Sequence, residues 1–221
     1  MIIETPRLIL RPFRADDAAD VFEYLAEPQV HCFAWMKLNS LEEAKAAVIK
    51  RSRDPDYYFA ITLRESGKVI GEIFAYPETG EMHAPENSPL DTFSPSAMLN
   101  SKYHKQGYAC EAGRAFLDYL FRDRGARRVY IYTDDYNVPS QQLCEKLGMR
   151  KEGFFREIFS FVKNPDGTPH YENTYQYAIL KKEWLEQQKA LRRKRKGSAC
   201  YPLKRIIMPV SRCLGSSAAI L

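Results

Sequence analysis

The sequence predicts an α/β fold of the α+β type, built around a mixed, mostly antiparallel and twisted sheet. Segments with strand and helix character follow each other in the order β-α-α-β-β-β-α-β-α-β-β. Where strands follow one another directly, short turns rich in Gly and Pro separate them, which favours antiparallel pairing. With 221 residues, of which 45% are hydrophobic, the chain can bury the core of one domain. We expect about six to seven strands flanked by about four helices.

The N-terminal part of the chain predicts one strand followed by two helices. Residues 5–13 alternate between apolar and polar side chains and contain β-formers, which indicates a strand. The first helix begins at an Asp pair and is closed by Pro28. Ser40 and Glu43 have the spacing of a capping box, so they predict the start of the second helix.

The rest of the chain predicts a hairpin, two further helices and two long C-terminal strands. Gly125 and Gly148 set helix ends, because each follows a helix-like run. The predicted elements are strands at 57–63 and 69–78, a loop at 79–93, a strand at 95–103, a helix at 110–124, a strand at 127–137, a helix at 138–146, and strands at 150–161 and 172–184.

The charge of the chain is unevenly distributed. The formal net charge is +5, yet no acidic residue follows Glu186 and nine basic residues lie beyond it. Residues 1–186 therefore carry 24 basic and 28 acidic side chains, a net charge of −4. We expect one domain at 1–186 and a basic, flexible extension at 187–221. An anchor to RNA or the ribosome is the alternative role for this extension.

Neither a membrane span nor a secretory signal is predicted. No run of about 18 apolar residues occurs, and the stretch MIIETPRLILRPF lacks the order of a signal peptide. The five cysteines have no CxxC or metal-ligand spacing, which is typical of reduced thiols. The sequence thus indicates a cytoplasmic protein without membrane or metal, either a monomer or a homodimer.

The segment from His104 to Ala109 joins a predicted strand to a predicted helix. Gly107 and the small Ala109 allow the backbone to approach a ligand closely and to turn its N–H groups outward. The helix that follows adds unpaired N–H groups and the positive end of its dipole. This combination is suited to a pyrophosphate, although a Gly before a helix is also common simply as a break between elements.

Asn137 and Ser140 follow the next predicted strand and open the fourth helix. An Asn at a strand end has both a donor and an acceptor for an amide-bearing ligand. Either residue is equally suited to capping the helix. The residues alone leave the two interpretations open.

These two segments together resemble the GCN5-related N-acetyltransferase (GNAT) family, and most closely its branch of ribosomal-protein N-terminal acetyltransferases, the Rim-type enzymes. The resemblance covers about residues 3–185. The stretches that carry it are TPRLILRPFRADDAADVFEYLAEPQV, GEIFAY, YHKQGYACEAGRAFLDYLF, NVPSQQLCEKLGM and EGFFRE, in this order. It implies a single GNAT-like domain that uses acetyl coenzyme A (acetyl-CoA).

Family members bind acetyl-CoA through a segment written Q/R-x-x-G-x-G/A, whose backbone amides hold the pyrophosphate. Preceding strand residues pair with the pantetheine, and an Asn bonds it from the neighbouring strand. His104 departs from the usual Gln or Arg, which matters little because the contacts are mainly backbone. The residues that the resemblance assigns to acetyl-CoA are Met98, Leu99, His104, Lys105, Gln106, Gly107, Tyr108, Ala109, Asn137 and Ser140.

For catalysis the resemblance implies Ser140 and Glu157. Many GNAT enzymes carry a Tyr that protonates the departing thiolate, where this chain has Cys144. Rim-type enzymes place a Ser three residues after the Asn, so Ser140 is the predicted partner of the thiolate. They also place a general base after the EG..R pattern, which is Glu157 here, although on local grounds Glu157 is equally a solvated strand residue paired with a basic side chain. Glu72 is the rival base, because other GNAT enzymes use the equivalent strand.

The implied reaction is acetyl transfer from acetyl-CoA to a primary amine by direct attack in a ternary complex. A primary amine is mostly ammonium at neutral pH, so a base must take its proton. A strand N–H near Leu99 could stabilise the oxyanion, and proximity supplies much of the rest. Neither a metal nor a covalent enzyme intermediate is required, and Cys110 and Cys144 are interpreted as small core residues.

The acceptor is poorly specified by the sequence. The family builds its acceptor pocket from segments that correspond here to residues 26–40, the loop 79–93 and the turn 160–172. Aromatic and acidic side chains there fit a peptide N-terminus, a polyamine or an aminoglycoside equally well: His31, Phe33, Trp35, Glu86 and Asp91. The alternative function is a non-catalytic module that keeps the fold and binds coenzyme A or RNA, which the missing Tyr at position 144 favours.

Overall fold

The computed structural model describes residues 1–78 and 87–197. Over these residues the chain forms five α-helices and three short 3-10 helices. The α-helices are α1 (Ala18–Leu25), α2 (Leu41–Arg51), α3 (Tyr108–Arg122), α4 (Val138–Lys146) and α5 (Lys181–Gly197). The 3-10 helices are Ala15–Asp17, His31–Met36 and Ser101–Tyr103.

The strands form two sheets of five strands each, where the sequence predicted one sheet of six to seven. The strands are β1 (Ile3–Glu4), β2 (Leu8–Arg11), β3 (Tyr58–Leu63), β4 (Val69–Phe74), β5 (Pro77–Glu78), β6 (Thr92–Phe93), β7 (Ser96–Leu99), β8 (Arg128–Asp134), β9 (Arg150–Lys163) and β10 (Pro169–Leu180). One sheet has the order β1-β2-β3-β4-β7 and the other β5-β6-β8-β10-β9. Among the described pairs only β6 and β8 are parallel, which confirms the α+β class.

The break between the two sheets lies where the chain passes from β6 to β7. Thr92 and Phe93 pair in parallel with the start of β8, and the chain then crosses to pair with β4. Pro95 stands at the crossing, where its missing N–H interrupts the ladder. β7 continues from β6, which pairs with the start of β8, but among the described strands no ladder joins β7 to the rest of β8. We infer that a cleft separates the C-terminal parts of β7 and β8. Helices α3 and α4 begin beyond these two ends.

The predicted first strand at 5–13 is wrong in its extent. Residues 5–7 form a turn, in which Thr5 N–H donates to Leu8 O at 2.9 Å and Thr5 Oγ1 accepts from Leu8 N–H at 2.9 Å. The turn separates β1 from β2, and β2 ends at Arg11 because Pro12 follows.

Several other boundaries also differ from the prediction. The strand predicted at 95–103 ends at Leu99, because the Asn100 side chain accepts from Lys102 N–H at 3.1 Å and starts a 3-10 turn. Helix α3 starts two residues earlier than predicted. The Ser40 cap is confirmed, since its Oγ accepts from Glu43 N–H at 3.1 Å. The helix predicted at 138–146 is confirmed, and so is the pair of long C-terminal strands. The second of these strands was predicted at 172–184, but it starts at Pro169 and ends at Leu180, where α5 begins at Lys181.

The first sheet is buried on both faces. Along β3, Phe59 and Ile61 belong to a core cluster shared with α3, whereas Tyr58 and Ala60 belong to a second cluster shared with α1 and α2. This alternation follows from the two-residue period of a strand. The sheet is thus covered by α1 and α2 on one face and by α3 on the other.

Helix α5 crosses the domain boundary that the charge distribution predicted at 186. Trp184 is buried in the core, and beyond the boundary Gln187 Nε2 donates to Gly148 O at 3.0 Å. The chain therefore contributes to the fold past Glu186. The remainder of the predicted extension, 198–221, lies outside the described residues. In the described part, no helix is long and apolar enough to cross a bilayer.

Candidate active site

The predicted phosphate-binding turn lies between β7 and α3. Lys105 and Gly107 both have left-handed backbone conformations, with φ of 60° and 84°. Gly107 caps α3, and the first bond into the helix runs from Glu111 N–H to Gly107 O at 3.0 Å. The N–H groups of residues 107–110 therefore have no partner within the helix. Together with the positive end of the helix dipole, they form a site suited to an anion.

A network from the N-terminal turn holds this end of α3. Glu111 accepts from Thr5 Oγ1 at 2.7 Å, from Arg7 N–H at 2.8 Å and from Arg7 Nε at 2.7 Å. Arg7 Nη1 donates to Gln106 O at 3.0 Å, and its guanidinium lies 4.4 Å from the centre of the Tyr108 ring. Burial alone would raise the pKa of Glu111, but the bonds from Thr5 and Arg7 lower it below its usual value. Sequence reasoning missed this network, because its hydrogen bonds join residues that are 99 to 106 positions apart in the chain.

The strand residues predicted to face the pantetheine lie at a sheet edge. Among the described strands, β7 is the last of its sheet and pairs only with β4, so the backbone of Met98 and Leu99 borders the cleft. His104 Nε2 donates to Leu99 O at 2.9 Å, which ties the turn to the strand end. The imidazole thus has a structural role that the sequence did not predict.

Asn137 caps α4, as one of the two sequence interpretations proposed. Its Oδ1 accepts from Ser140 N–H at 3.3 Å. In the described part of the chain, neither the Asn137 amide N–H₂ nor the Ser140 hydroxyl has a hydrogen-bond partner. Capping therefore uses only the Oδ1 atom of Asn137. The Asn137 N–H₂ group and the Ser140 hydroxyl remain available as donors to a ligand.

Glu157 lies in an irregular stretch of β9. The register of β9 against β10 shifts between the pairs Glu172–Phe159 and Thr174–Phe155, which leaves Glu157 in a bulge with φ of 49°. Its N–H donates to Asn173 Oδ1 at 3.1 Å, and its side chain is exposed. It forms no ion pair with a described residue, whereas the alternative interpretation expected a solvated Glu157 paired with a basic side chain. Bulges of this kind re-aim side chains and are frequent beside active sites.

Glu72, the rival base, is fully buried. Its Oε2 accepts from Tyr24 OH at 2.8 Å, its Oε1 accepts from Tyr58 OH at 2.7 Å, and Arg51 Nε lies 3.2 Å from Oε2. Burial, followed by the charge of Glu72, raises the pKa of both Tyr24 and Tyr58. Both carboxylate oxygens are therefore engaged, and Glu72 balances a buried Arg rather than facing a substrate.

Cys144, which replaces the thiolate-protonating Tyr, is a core residue. Its side chain is 1% exposed, and burial raises its pKa to about 12. A thiol that remains protonated and covered is a poor nucleophile. Cys110 is half-buried and packs against the same core cluster. These positions support the interpretation of both cysteines as packing residues.

The predicted acceptor-side residues have different environments. Trp35 is 72% exposed, whereas Phe33 packs against the core cluster of α1 and α2. The Asp91 backbone O accepts from Arg127 N–H at 2.7 Å, and Asp91 Oδ2 accepts from Arg127 Nε at 2.9 Å. The Asp91 carboxylate thus pairs with a residue beside the start of β8 rather than facing a free amine. Glu86 lies outside the described residues.

A cluster around His31 was not foreseen as a unit. His31 Nδ1 lies 2.5 Å from Glu172 Oε1, and His31 N–H donates to Tyr136 OH at 3.3 Å. Asp134 is buried beside Glu172, and His170 contacts His31 with ring centres 5.9 Å apart. We call these five residues the His31 cluster. His31 was predicted on the acceptor side, but no sequence signal joined it to a carboxylate 141 residues away.

Comparison with known proteins identifies the family of this fold and site. A family model described as an acetyltransferase (GNAT) domain matches residues 7–150, more than half of the chain. The chain belongs to the GNAT family. GNAT enzymes use acetyl-CoA as co-substrate, and N-acetyltransferase is the activity class of this chain.

Individual GNAT relatives support the assignment. An uncharacterized N-acetyltransferase of Bacillus subtilis, YnaD, is 33% identical over 184 residues, covering 83% of this chain and 99% of the relative. A crystal structure of a GNAT-family acetyltransferase from Bacillus anthracis has a TM-score of 0.70 at 28% identity, covering 83% of this chain and 100% of that one. The ribosomal-protein-S5-alanine acetyltransferase of Vibrio fischeri shares the fold, with a TM-score of 0.63 at 17% identity over 83% of this chain and 98% of its own.

Proposed function

We propose that this GNAT protein transfers the acetyl group of acetyl-CoA to a primary amine by direct attack in a ternary complex. The observation that carries the proposal is the free N-terminal end of α3 behind the left-handed turn at Gly107. It lies beyond the edge strand β7, at the mouth of the cleft between β7 and β8. A pyrophosphate at the helix end and a pantetheine along the strand edge fit this arrangement.

The family resemblance assigns the residues that bind acetyl-CoA. Hydrogen-bonding groups that are not used within the described fold support this assignment. The backbone from His104 to Ala109 would hold the pyrophosphate, with Lys105 adding charge. Met98 and Leu99 border the pantetheine on one side, and Asn137 faces it from α4. Ser140 on the first turn of α4 is the proposed partner of the departing thiolate, because its hydroxyl is not used within the described fold.

The base that deprotonates the amine has two candidates after Glu72 is set aside. The resemblance assigns the role to Glu157, whose exposed carboxylate on the bulge of β9 is free of ion pairs within the described residues. His31 is the second candidate and is argued separately below. Either group would lie on the acceptor side, opposite the phosphate-binding turn.

The Rim-type resemblance favours a peptide or protein N-terminus as acceptor, with small amines as the alternative. A cytoplasmic location belongs to the same proposal, supported by the free thiols of Cys32, Cys110 and Cys144. A non-catalytic coenzyme A-binding or RNA-binding module is the competing function. The one observation that favours this competing function is that position 144 is Cys and not Tyr.

Thiol release from acetyl-CoA over a panel of amines tests the proposal. The panel holds peptides with free N-termini, polyamines and aminoglycosides, and a melting-temperature shift with coenzyme A reports binding separately. Ser140→Ala and Glu157→Gln should each lower turnover at least about tenfold while the coenzyme still raises the melting temperature. Normal turnover in both variants would remove these two assignments. Coenzyme binding without turnover on any amine would favour the non-catalytic module.

A further inference from the structure

The His31 cluster lies beside the residues assigned to acetyl-CoA. Tyr136, whose hydroxyl accepts from His31 N–H, immediately precedes Asn137 in the chain. Asp134 O accepts from Asn137 N–H at 3.0 Å. On the other side, Asn173 follows Glu172 and holds the bulge of Glu157. The cluster therefore lies between the proposed donor site and the edge of β9.

The imidazole of His31 is oriented by a buried carboxylate. Glu172 is 4% exposed, whereas the His31 side chain is 49% exposed, so the pair has one covered and one open end. Nδ1 donates to Glu172 Oε1, and this bond fixes the tautomer of a neutral ring with its lone pair on Nε2. Within residues 1–78 and 87–197, Nε2 has no hydrogen-bond partner. A base held by a third group in this way is a recurring arrangement in catalysis.

The surroundings of the pair are acidic and aromatic. The titratable groups that face His31 are Glu172 and His170 from β10, Asp134 and Tyr136 from the end of β8, and Cys32 from its own 3-10 helix. In the described chain neither Asp134 nor Glu172 is paired with a Lys or Arg, and Glu172 Oε2 is buried without a partner. A cationic amine is thus drawn to the open end of the pair.

A metal centre is the competing use of these residues, because ligand atoms of His31, His170 and Glu172 lie within 4.8 Å of one another. Two ligand atoms of a tetrahedral zinc ion are roughly 3.3 Å apart. The contact of 2.5 Å between His31 Nδ1 and Glu172 Oε1 is instead that of a hydrogen bond. His170 also directs Nδ1 to Asn164 Oδ1 at 3.0 Å.

We propose that His31, positioned by Glu172, is the group that takes the proton from the acceptor amine. This inference rests on the proposed acetyl transfer and replaces Glu157 as the base. An ammonium acceptor loses one proton to His31 Nε2, and its nitrogen then forms the bond to the thioester carbonyl carbon. The C–S bond breaks, the sulfur leaves with the electron pair, and the second nitrogen proton passes to the thiolate. His31 then releases its proton to solvent and returns to the neutral form that can accept the next proton.

Variant kinetics at several pH values test the role of His31. His31→Gln should lower kcat about 100-fold near neutral pH while coenzyme A still shifts the melting temperature. The deficit should shrink as the pH approaches the amine pKa, and with acceptors of low amine pKa, because free amine then needs no base. Added imidazole should restore part of the activity of His31→Ala. Glu172→Gln, the positioning variant, should lower kcat about tenfold and change its pH profile.

His170→Gln is the matched control, because His170 is a neighbouring imidazole that has no carboxylate partner among the described residues. It should keep the wild-type dependence of kcat on pH. The loss of turnover that is expected for Glu157→Gln should be the same at every pH, because Glu157 does not take the proton under this proposal. The proposal is overturned if His31→Gln turns over like wild type, or if only Glu157→Gln shows the pH-dependent deficit. Tight zinc binding by calorimetry that both His31→Gln and His170→Gln abolish would overturn it in favour of a metal centre. A wild-type protein that neither binds coenzyme A nor acetylates any amine would remove the proposed function as well.

Discussion

Arg7 and Glu111 form an ion pair of 2.7 Å that joins the N-terminal turn to the first turn of α3. The same Arg7 donates to Gln106 O, so one side chain connects the helix end and the turn in front of it. These contacts restrain the proposed phosphate-binding turn. Preorganisation of this kind lowers the entropy lost when an anion binds.

Gly107→Ala should weaken the binding of coenzyme A about tenfold. Gly107 has φ of 84°, and a Cβ there would lie 3.3 Å from Arg7 Nη2, so the turn would relax and misdirect its N–H groups. Calorimetric titration with coenzyme A measures the effect. Gly67→Ala is the control, since Gly67 has φ of 74° in the β3–β4 hairpin with no atom within 4 Å. It should lose a similar amount of stability yet keep coenzyme affinity. Equal affinity in the two variants would contradict a role of this turn in phosphate binding.

Glu72→Gln should destabilise the fold by about 3 kcal/mol without slowing turnover of the folded protein. The substitution leaves Arg51 buried without its counter-charge. The single amide oxygen also replaces only one of the two carboxylate oxygens that accept from the hydroxyls of Tyr24 and Tyr58. Urea denaturation and turnover per folded molecule measure the two effects. Glu65 is an exposed carboxylate in the turn between β3 and β4, so Glu65→Gln is the control. It should change neither the stability nor the turnover. A stable Glu72→Gln protein with lost turnover would restore Glu72 as a candidate base.

Part of the acid sensitivity of the fold should come from Glu23. Hydrogen bonds from Lys102 and then Lys68 lower the pKa of Glu23 to about 2, from 4.5. A carboxylate with a lowered folded-state pKa stabilises the fold above its unfolded pKa, and this contribution is lost as the pH falls from about 4.5 towards 2. The partners are partly exposed, so we expect no more than about 1 kcal/mol.

Thermal unfolding of Glu23→Gln at several pH values checks this expectation. The variant should be less stable than wild type near neutral pH, and the two should converge near pH 2. Glu42→Gln, on the exposed face of α2, is the control and should follow the wild-type curve throughout. A constant difference across the whole pH range would show that Glu23 acts through packing rather than charge.

Truncation after Gly197 should leave the stability of the fold unchanged, whereas truncation after Glu186 should lower it. Ending the chain at Glu186 removes the hydrogen bond from Gln187 to Gly148 O and more than half of α5. We expect a loss of about 1 kcal/mol and a melting temperature lower by about 2–4 °C. Scanning calorimetry on the two shortened chains measures the difference. Identical melting temperatures would support the original boundary at 186.

The local sequence was sufficient where short-range chemistry fixes the structure. The Ser40 cap, the helix at 138–146 and the Gly107 turn were predicted because capping and positive φ depend on neighbouring residues. The family resemblance also required only the order of short motifs, and the family match at residues 7–150 confirmed it. The division into two sheets was missed, because strand patterns do not reveal which strands pair.

The sequence by itself determined the α+β class, the position of the left-handed turn at Gly107 and the GNAT family of this protein. Tertiary structure alone decided the environment of each carboxylate. Glu72, Glu157 and Glu172 all follow strand-like patterns, yet the first is buried against Arg51, the second lies exposed on a bulge and the third orients His31. The physical reason is that the solvation and partners of a charge are set by residues distant in the chain. Those partners are brought together only when the sheets and helices pack.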